Sequence, residues 1–184
     1  MLVSVSMAIV VACSGGTSGS NQGTNVEGSS ELDPAPDFLF VPYTGSGDLG
    51  ASSLRLSDLA GTPVVLNFWA PLCPPCRAEM PDLQEFHEEF KDRVTLLGLD
   101  VGRYTGLGDR ADALKLLDEL DVTYPTASTS DGAAVRRYEI FVMPTTFFIN
   151  AKGEIFRKWA GVLDKKALIQ ISEEMLAEQE GRTS

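Results

Sequence analysis

The sequence predicts an α/β fold with a mixed central sheet flanked by helices, and three observations support it. Apolar, β-branched runs of strand length alternate with segments of helical rhythm. One such strand passes through a Cys-x-x-Cys step directly into a helix. The last strand-like run, Thr145–Ile149, turns at Asn150-Ala151-Lys152-Gly153 into residues 154–159, the pattern of a hairpin at a sheet edge.

Taken in order, residues 34–38 (Pro-Ala-Pro-Asp-Phe) are where apolar side chains first appear among turn formers, so the folded part is expected to begin there. Leu54-Arg55-Leu56 alternates as a strand does, and Ser57-Asp58-Leu59-Ala60-Gly61 reads as a short helical turn closed by glycine. Residues 64–68 (Val-Val-Leu-Asn-Phe) have buried-strand character, and residues 79–90 place Met80, Leu83, Phe86 and Phe90 on one helical face. Pro81 removes a hydrogen bond within that helix and is expected to kink it. Residues 94–100 form a second buried-type strand, and residues 109–120 an amphipathic helix with Ala113, Leu116, Leu117 and Leu120 on one side. A short helix is expected at about 132–138. Asp164 then caps a final helix whose Leu168, Ile171 and Met175 face the core.

With 184 residues, 43% of them hydrophobic, the chain suits one domain with a sizeable core. Its 26 acidic residues against 15 basic ones give a formal net charge of −11, which argues against a nucleic-acid backbone as partner.

The chemistry concentrates in Trp69-Ala70-Pro71-Leu72-Cys73-Pro74-Pro75-Cys76-Arg77-Ala78-Glu79-Met80-Pro81. Two thiols in the first turn of a helix, two residues apart, come close enough to bond. Unpaired N–H groups and the positive end of the helix dipole favour a thiolate there, and Arg77 adds a nearby cation. Cys73, at the mouth, is therefore the expected exposed nucleophile, and Cys76, one turn inside, the resolving thiol. A zinc site would need two more ligands, for which the chain offers only Cys13 and His87. A purely structural bridge would close so short a loop that it would stabilise weakly. His87, on the polar side of its helix, is expected to be solvated and receives no role.

Residues 1–12 are apolar apart from two serines, and Val10-Val11-Ala12-Cys13-Ser14 resembles a bacterial lipoprotein signal. That resemblance implies cleavage before Cys13 and a diacylglyceryl group on its sulfur. No Lys or Arg precedes the apolar run, which departs from the pattern of secretory signals. The Gly, Ser, Thr and Asn residues that follow cannot build a core and suit a tether. The expected organisation is a signal at 1–12, a lipidated tether at 13–33, a folded domain at 34–179 and a flexible end at 180–184. With Cys13 assigned to lipid, Cys73 and Cys76 form the sole possible intrachain disulfide.

From Pro34 to the last helix the chain resembles the thioredoxin-like proteins of the TlpA/ResA group. The resemblance is carried by Ala35-Pro36-Asp37-Phe38, Leu56-Ser57-Asp58-Leu59, Val65-Leu66-Asn67-Phe68-Trp69-Ala70 with the Cys73 motif, Tyr124-Pro125, and Val142-Met143-Pro144-Thr145-Thr146-Phe147. It implies a thioredoxin-like three-layer sandwich and a cis Met143–Pro144 peptide beside the thiols. It also implies substrate contacts at Trp69, Met143 and Thr145, and a glutamate, Glu79, that tunes the thiols; a solvated carboxylate near Arg77 is the alternative for Glu79. Asn67 stands where cytoplasmic thioredoxins have a buried aspartate, and Leu72 where tryptophan is usual.

The function expected is that of a monomeric, extracytoplasmic, lipid-anchored disulfide reductase without a cofactor or metal. Its partners would be exported proteins such as apocytochrome c and a membrane dithiol carrier of the CcdA/DsbD kind. Two alternatives stand beside it. A peroxidase would place Thr or Ser where this chain has Ala70, and a copper-delivery lipoprotein would use a wider cysteine spacing with a distal histidine.

Overall fold

The computed structural model describes residues 32–181; the expected signal segment, most of the tether with Cys13, and residues 182–184 lie outside them. The elements run β1 (Leu39–Thr44), α1 (Ser46–Leu49), β2 (Leu54–Arg55), a 3-10 turn (Leu56–Leu59), β3 (Val64–Trp69) and α2 (Pro74–Phe90). They continue with β4 (Thr95–Asp100), α3 (Gly102–Thr105), α4 (Arg110–Glu119), β5 (Thr126–Ser128) and α5 (Gly132–Arg137). β6 (Thr145–Ile149), β7 (Ile155–Ala160) and α6 (Lys165–Gly181) complete the chain.

Strand β3 is buried along its whole length because helices or loops cover both of its faces, which explains its unbroken apolar run. It lies between β4, in parallel, and β6, in antiparallel, in a seven-stranded sheet of order β2-β1-β5-β4-β3-β6-β7. Alternation along β3 divides the core in two. Val65 and Trp69 pack with Met80, Leu83 and Phe86 of α2, Leu116 of α4 and Leu168 and Ile171 of α6. Leu66 and Phe68 pack on the opposite face with Phe38, Phe40, Ala134 and Tyr138.

The hairpin expected at residues 150–153 joins β6 to β7 at the sheet edge. Asn150 Oδ1 accepts from the N–H groups of Lys152 and Glu154, and Gly153 takes the positive φ that closes the turn. The main chain at Asp33 and Ala35 hydrogen-bonds to Ile155 and Gly153, so the chain is tied to this hairpin from Asp33 onward. Asp164 accepts from the Ala167 N–H at 2.8 Å, capping α6 as expected. Helix α2 continues through Pro81 as one element.

His87 departs from expectation. It is 7% exposed rather than solvated, its Nε2 lies 3.8 Å from Asp48 of α1, and burial holds its pKa below the ordinary histidine value. The short helix α1, which carries Asp48, was not among the expected elements.

Tyr138 sits among Phe38, Phe68 and Phe147 with ring centroids 6.0, 4.9 and 4.9 Å away, and its hydroxyl donates to the Pro36 carbonyl at 2.8 Å. Tyr138→Phe should lose about 1 kcal/mol for the hydrogen bond, and Tyr138→Ala about 3–5 kcal/mol for the cavity, both read from urea titrations.

Candidate active site

The site begins where β3 hands over to α2. Cys73 is the N-cap of α2, with extended backbone (φ −96°, ψ 106°), and Pro74 and Pro75 open the helix, where a missing N–H leaves no bond unmade. Cys73 and Cys76 are joined as a disulfide with Cα atoms 5.3 Å apart. The Cys76 N–H donates to Cys73 Sγ at 3.3 Å, so the sulfur occupies the place of a capping oxygen. In the reduced pair the same N–H and the helix dipole stabilise negative charge on Cys73.

Two expectations about this corner need correction. Cys73 is only 4% exposed, lying on the floor of a groove, although it remains the more accessible of the pair because Cys76 is fully buried. Arg77 is not a free cation: its guanidinium bonds Glu119 at 2.8 Å, so its charge is largely balanced there.

The groove encloses about 400 Å³ between the start of α2, the turn after β4, and the segment before β6; its lining residues include Cys73, Thr105, Leu107, Ile140, Phe141 and Met143. No lining residue carries a charge, on a chain whose formal net charge is −11. The Met143–Pro144 peptide is cis, and Met143 lines the groove while Pro144 is buried. Trp69 and Thr145, expected as substrate contacts, lie elsewhere. Trp69 is fully buried in the core, and Thr145 is buried with its hydroxyl donating to the Val142 carbonyl at 2.5 Å, which braces the groove segment from behind.

Phe141, which sequence reasoning did not single out, is 87% exposed on the groove rim, with Val142 and Leu72 also exposed. The signal was present in the apolar run Phe141-Val142-Met143, which no strand or helix takes up.

Glu79 lies one helical turn after Cys76 and is fully buried, not solvated beside Arg77. Oε1 accepts from Asn67 Nδ2 at 2.7 Å and Oε2 from the Leu163 N–H at 3.1 Å. Asn67 also donates to Thr146 Oγ1 at 3.0 Å, so the amide that replaces an aspartate serves as a bracket for Glu79. Burial pushes the Glu79 carboxyl up to about 7, outweighing the two hydrogen bonds that favour its charged form. Among the described residues, no group of three or more His, Cys, Asp or Glu side chains converges as metal ligands would, and no helix is long and apolar enough to cross a membrane.

The AhpC/TSA family pattern matches residues 32–158. Thiol-disulfide oxidoreductase ResA of Oceanobacillus iheyensis is 38% identical over 123 residues, 67% of this chain and 61% of that protein's length. ResA of Bacillus thuringiensis subsp. konkukian is 30% identical over 137 residues, 73% of this chain and 72% of its own. The crystal structure of the exposed lipoprotein thioredoxin of Streptococcus pneumoniae superposes with a TM-score of 0.64 at 28% identity, covering 76% of this chain and 99% of that one. The chain thus belongs to the AhpC/TSA family, among its thioredoxin-like thiol-disulfide oxidoreductases of ResA type.

A carboxyl raised to about 7 from 4.5 keeps a proton in the folded state that the unfolded chain has already lost. The Glu79 contribution to stability should therefore fall as pH rises from about 4.5 to about 7, by roughly 3 kcal/mol, and level off above. In Glu79→Gln this portion of the slope should vanish, as measured by urea titrations between pH 5 and 8.

Proposed function

We propose that the protein is an extracytoplasmic, membrane-tethered reductase of protein disulfides. The observation that carries this reading is the thiol pair at the head of α2, floored in an uncharged groove and backed by a buried carboxylate. In the reduced enzyme, the Cys73 thiolate attacks one sulfur of a substrate disulfide, and the other sulfur leaves as a thiolate that takes up a proton. Cys76 gives up its proton, for which Glu79 is the nearby acceptor along the helix, and attacks Cys73 Sγ. The second substrate thiol is released and Cys73–Cys76 closes. Two electrons have passed from the thiol pair to the substrate.

A carboxyl poised near neutrality suits that proton transfer, since it is available in both states. Met143 borders the groove, where its backbone can pair with an extended substrate segment as an added strand does. Next to Met143 in the chain, Pro144 and Thr145 are buried, and Trp69 belongs to the core cluster on which Met143 packs. The kinship with ResA proteins and the lipobox-like run ending at Cys13 support a lipid-tethered location outside the cytoplasm. In that setting the haem-attachment cysteines of apocytochrome c are a fitting substrate, and a membrane dithiol carrier of the CcdA/DsbD kind would restore the thiols. Peroxide turnover is the weaker reading, because Ala70 supplies no hydroxyl beside Cys73.

The Cys73/Cys76 couple should have a reduction potential in the reducing range, nearer the thioredoxin value of about −270 mV than the roughly −120 mV of a strong oxidant. Cys76→Ser should accumulate mixed disulfides with exported proteins in cells, apocytochromes c among them, whereas Cys73→Ser should trap none. A potential near that of the oxidant would contradict the reductase reading.

A further inference from the structure

Asp100, the last residue of β4, takes no part in the chemistry above, yet its side chain is buried at 5% exposure and both its oxygens are engaged. Oδ1 accepts from the Gly102 N–H at 2.8 Å, and Oδ2 accepts from the Tyr43 hydroxyl of β1 at 3.0 Å. Tyr43 is itself covered by the Arg110 guanidinium, 4.5 Å above its ring.

The bond to Gly102 starts a turn that reaches the nucleophile. The Tyr104 N–H donates to the Val101 carbonyl at 2.9 Å, and the Leu107 N–H to the Gly102 carbonyl at 3.1 Å. The Leu107 carbonyl then accepts from the N–H of Leu72, the residue before Cys73, at 2.9 Å. The Tyr104 hydroxyl anchors the turn on the Thr129 carbonyl at 2.9 Å. The fit leaves no slack: a Cβ at Gly102 would lie 2.7 Å from Pro71 Cδ, and one at Gly108 would lie 2.5 Å from Pro71 Cγ. Thr105 and Leu107 of this turn line the groove.

We propose that Asp100 is a positioning residue: by binding Gly102 and Tyr43 it seats residues 101–108 on Pro71 and Leu72, and so sets one wall of the substrate groove. The proposal rests on the groove being the reductase's substrate site. Replacing the carboxylate by an apolar group leaves a buried N–H and a hydroxyl without acceptors, and the turn must move to find water for them. An amide keeps an oxygen for Gly102 and offers Tyr43 a donor in place of an acceptor, so Asp100→Asn is the conservative control.

The test compares the wild-type full chain with Asp100→Leu and Asp100→Asn on a disulfide-bonded peptide and on a small aromatic disulfide, with dithiothreitol as electron source. Asp100→Leu should raise KM for the peptide by about tenfold while the rate with the small disulfide stays within about twofold, since groove alignment rather than thiol chemistry is lost. Amide exchange should accelerate at Leu72 and Leu107 but not at Leu83 in α2, and Asp100→Asn should restore both readouts. Equal losses on both substrates in step with a lowered Tm, or faster exchange with an unchanged peptide KM, would overturn the proposal. If Asp100→Leu does not fold, Tyr43→Phe, which removes one of the two bonds, should shift KM and exchange in the same direction, and no shift would overturn it. If the wild type leaves the peptide untouched, the reductase reading fails, while the exchange comparison still decides whether Asp100 holds the turn.

Discussion

A sulfur standing in for a helix cap is the interaction on which the site depends. Because β3 ends at Trp69 and α2 begins at Pro74, Cys73 falls at the one position where a side chain meets the helix's unpaired N–H groups. The Cys76 N–H points at its sulfur, and the next turn carries Glu79 into the core. There, Asn67 from the central strand and the Leu163 N–H from the segment before α6 hold the carboxylate, so three parts of the chain converge beneath the disulfide. Cys73, Cys76 and Glu79, the proposed nucleophile, resolving thiol and proton acceptor, follow one another at three-residue steps along one helix, so its placement fixes all three.

Above the thiols the surface has the opposite character. The groove is uncharged although the chain is strongly acidic; Phe141, which lines it, is exposed, as are Val142 and Leu72, which adjoin lining residues in the chain. Apolar side chains left in water at a reactive centre point to contact with another polypeptide. The groove combines residues far apart in the chain, from the start of α2, the turn after β4 and the segment before β6, so its shape depends on how these segments are held together. The buried side chains of Asp100 and Thr145 each hydrogen-bond the main chain of one of these segments.

Much of this could be read in the residues. The strand at Val64–Trp69, the helix carrying Met80, Leu83, Phe86 and Phe90, and the terminal hairpin follow from periodicity and turn chemistry, which are local. β1 escaped because Pro42 interrupts its apolar run, and its pairing with β5 shifts register between Pro42 and Thr44. β5 has only three residues and no pattern of its own. His87 is buried rather than solvated because it borders the apolar face of α2 and is approached by α1, whose four residues carry no pattern of their own. The burial of Trp69 and of Cys73 likewise reflects what packs over them, which no local pattern records.

The most direct test of this account is the pH dependence of alkylation at Cys73 in the reduced protein, followed at that residue by mass spectrometry. If the helix terminus stabilises the thiolate, the midpoint should lie clearly below about 8.5, the ordinary cysteine value. A midpoint at or above that value would mean that the capping geometry gives Cys73 no charge stabilisation, and the proposed role of this sulfur would be contradicted.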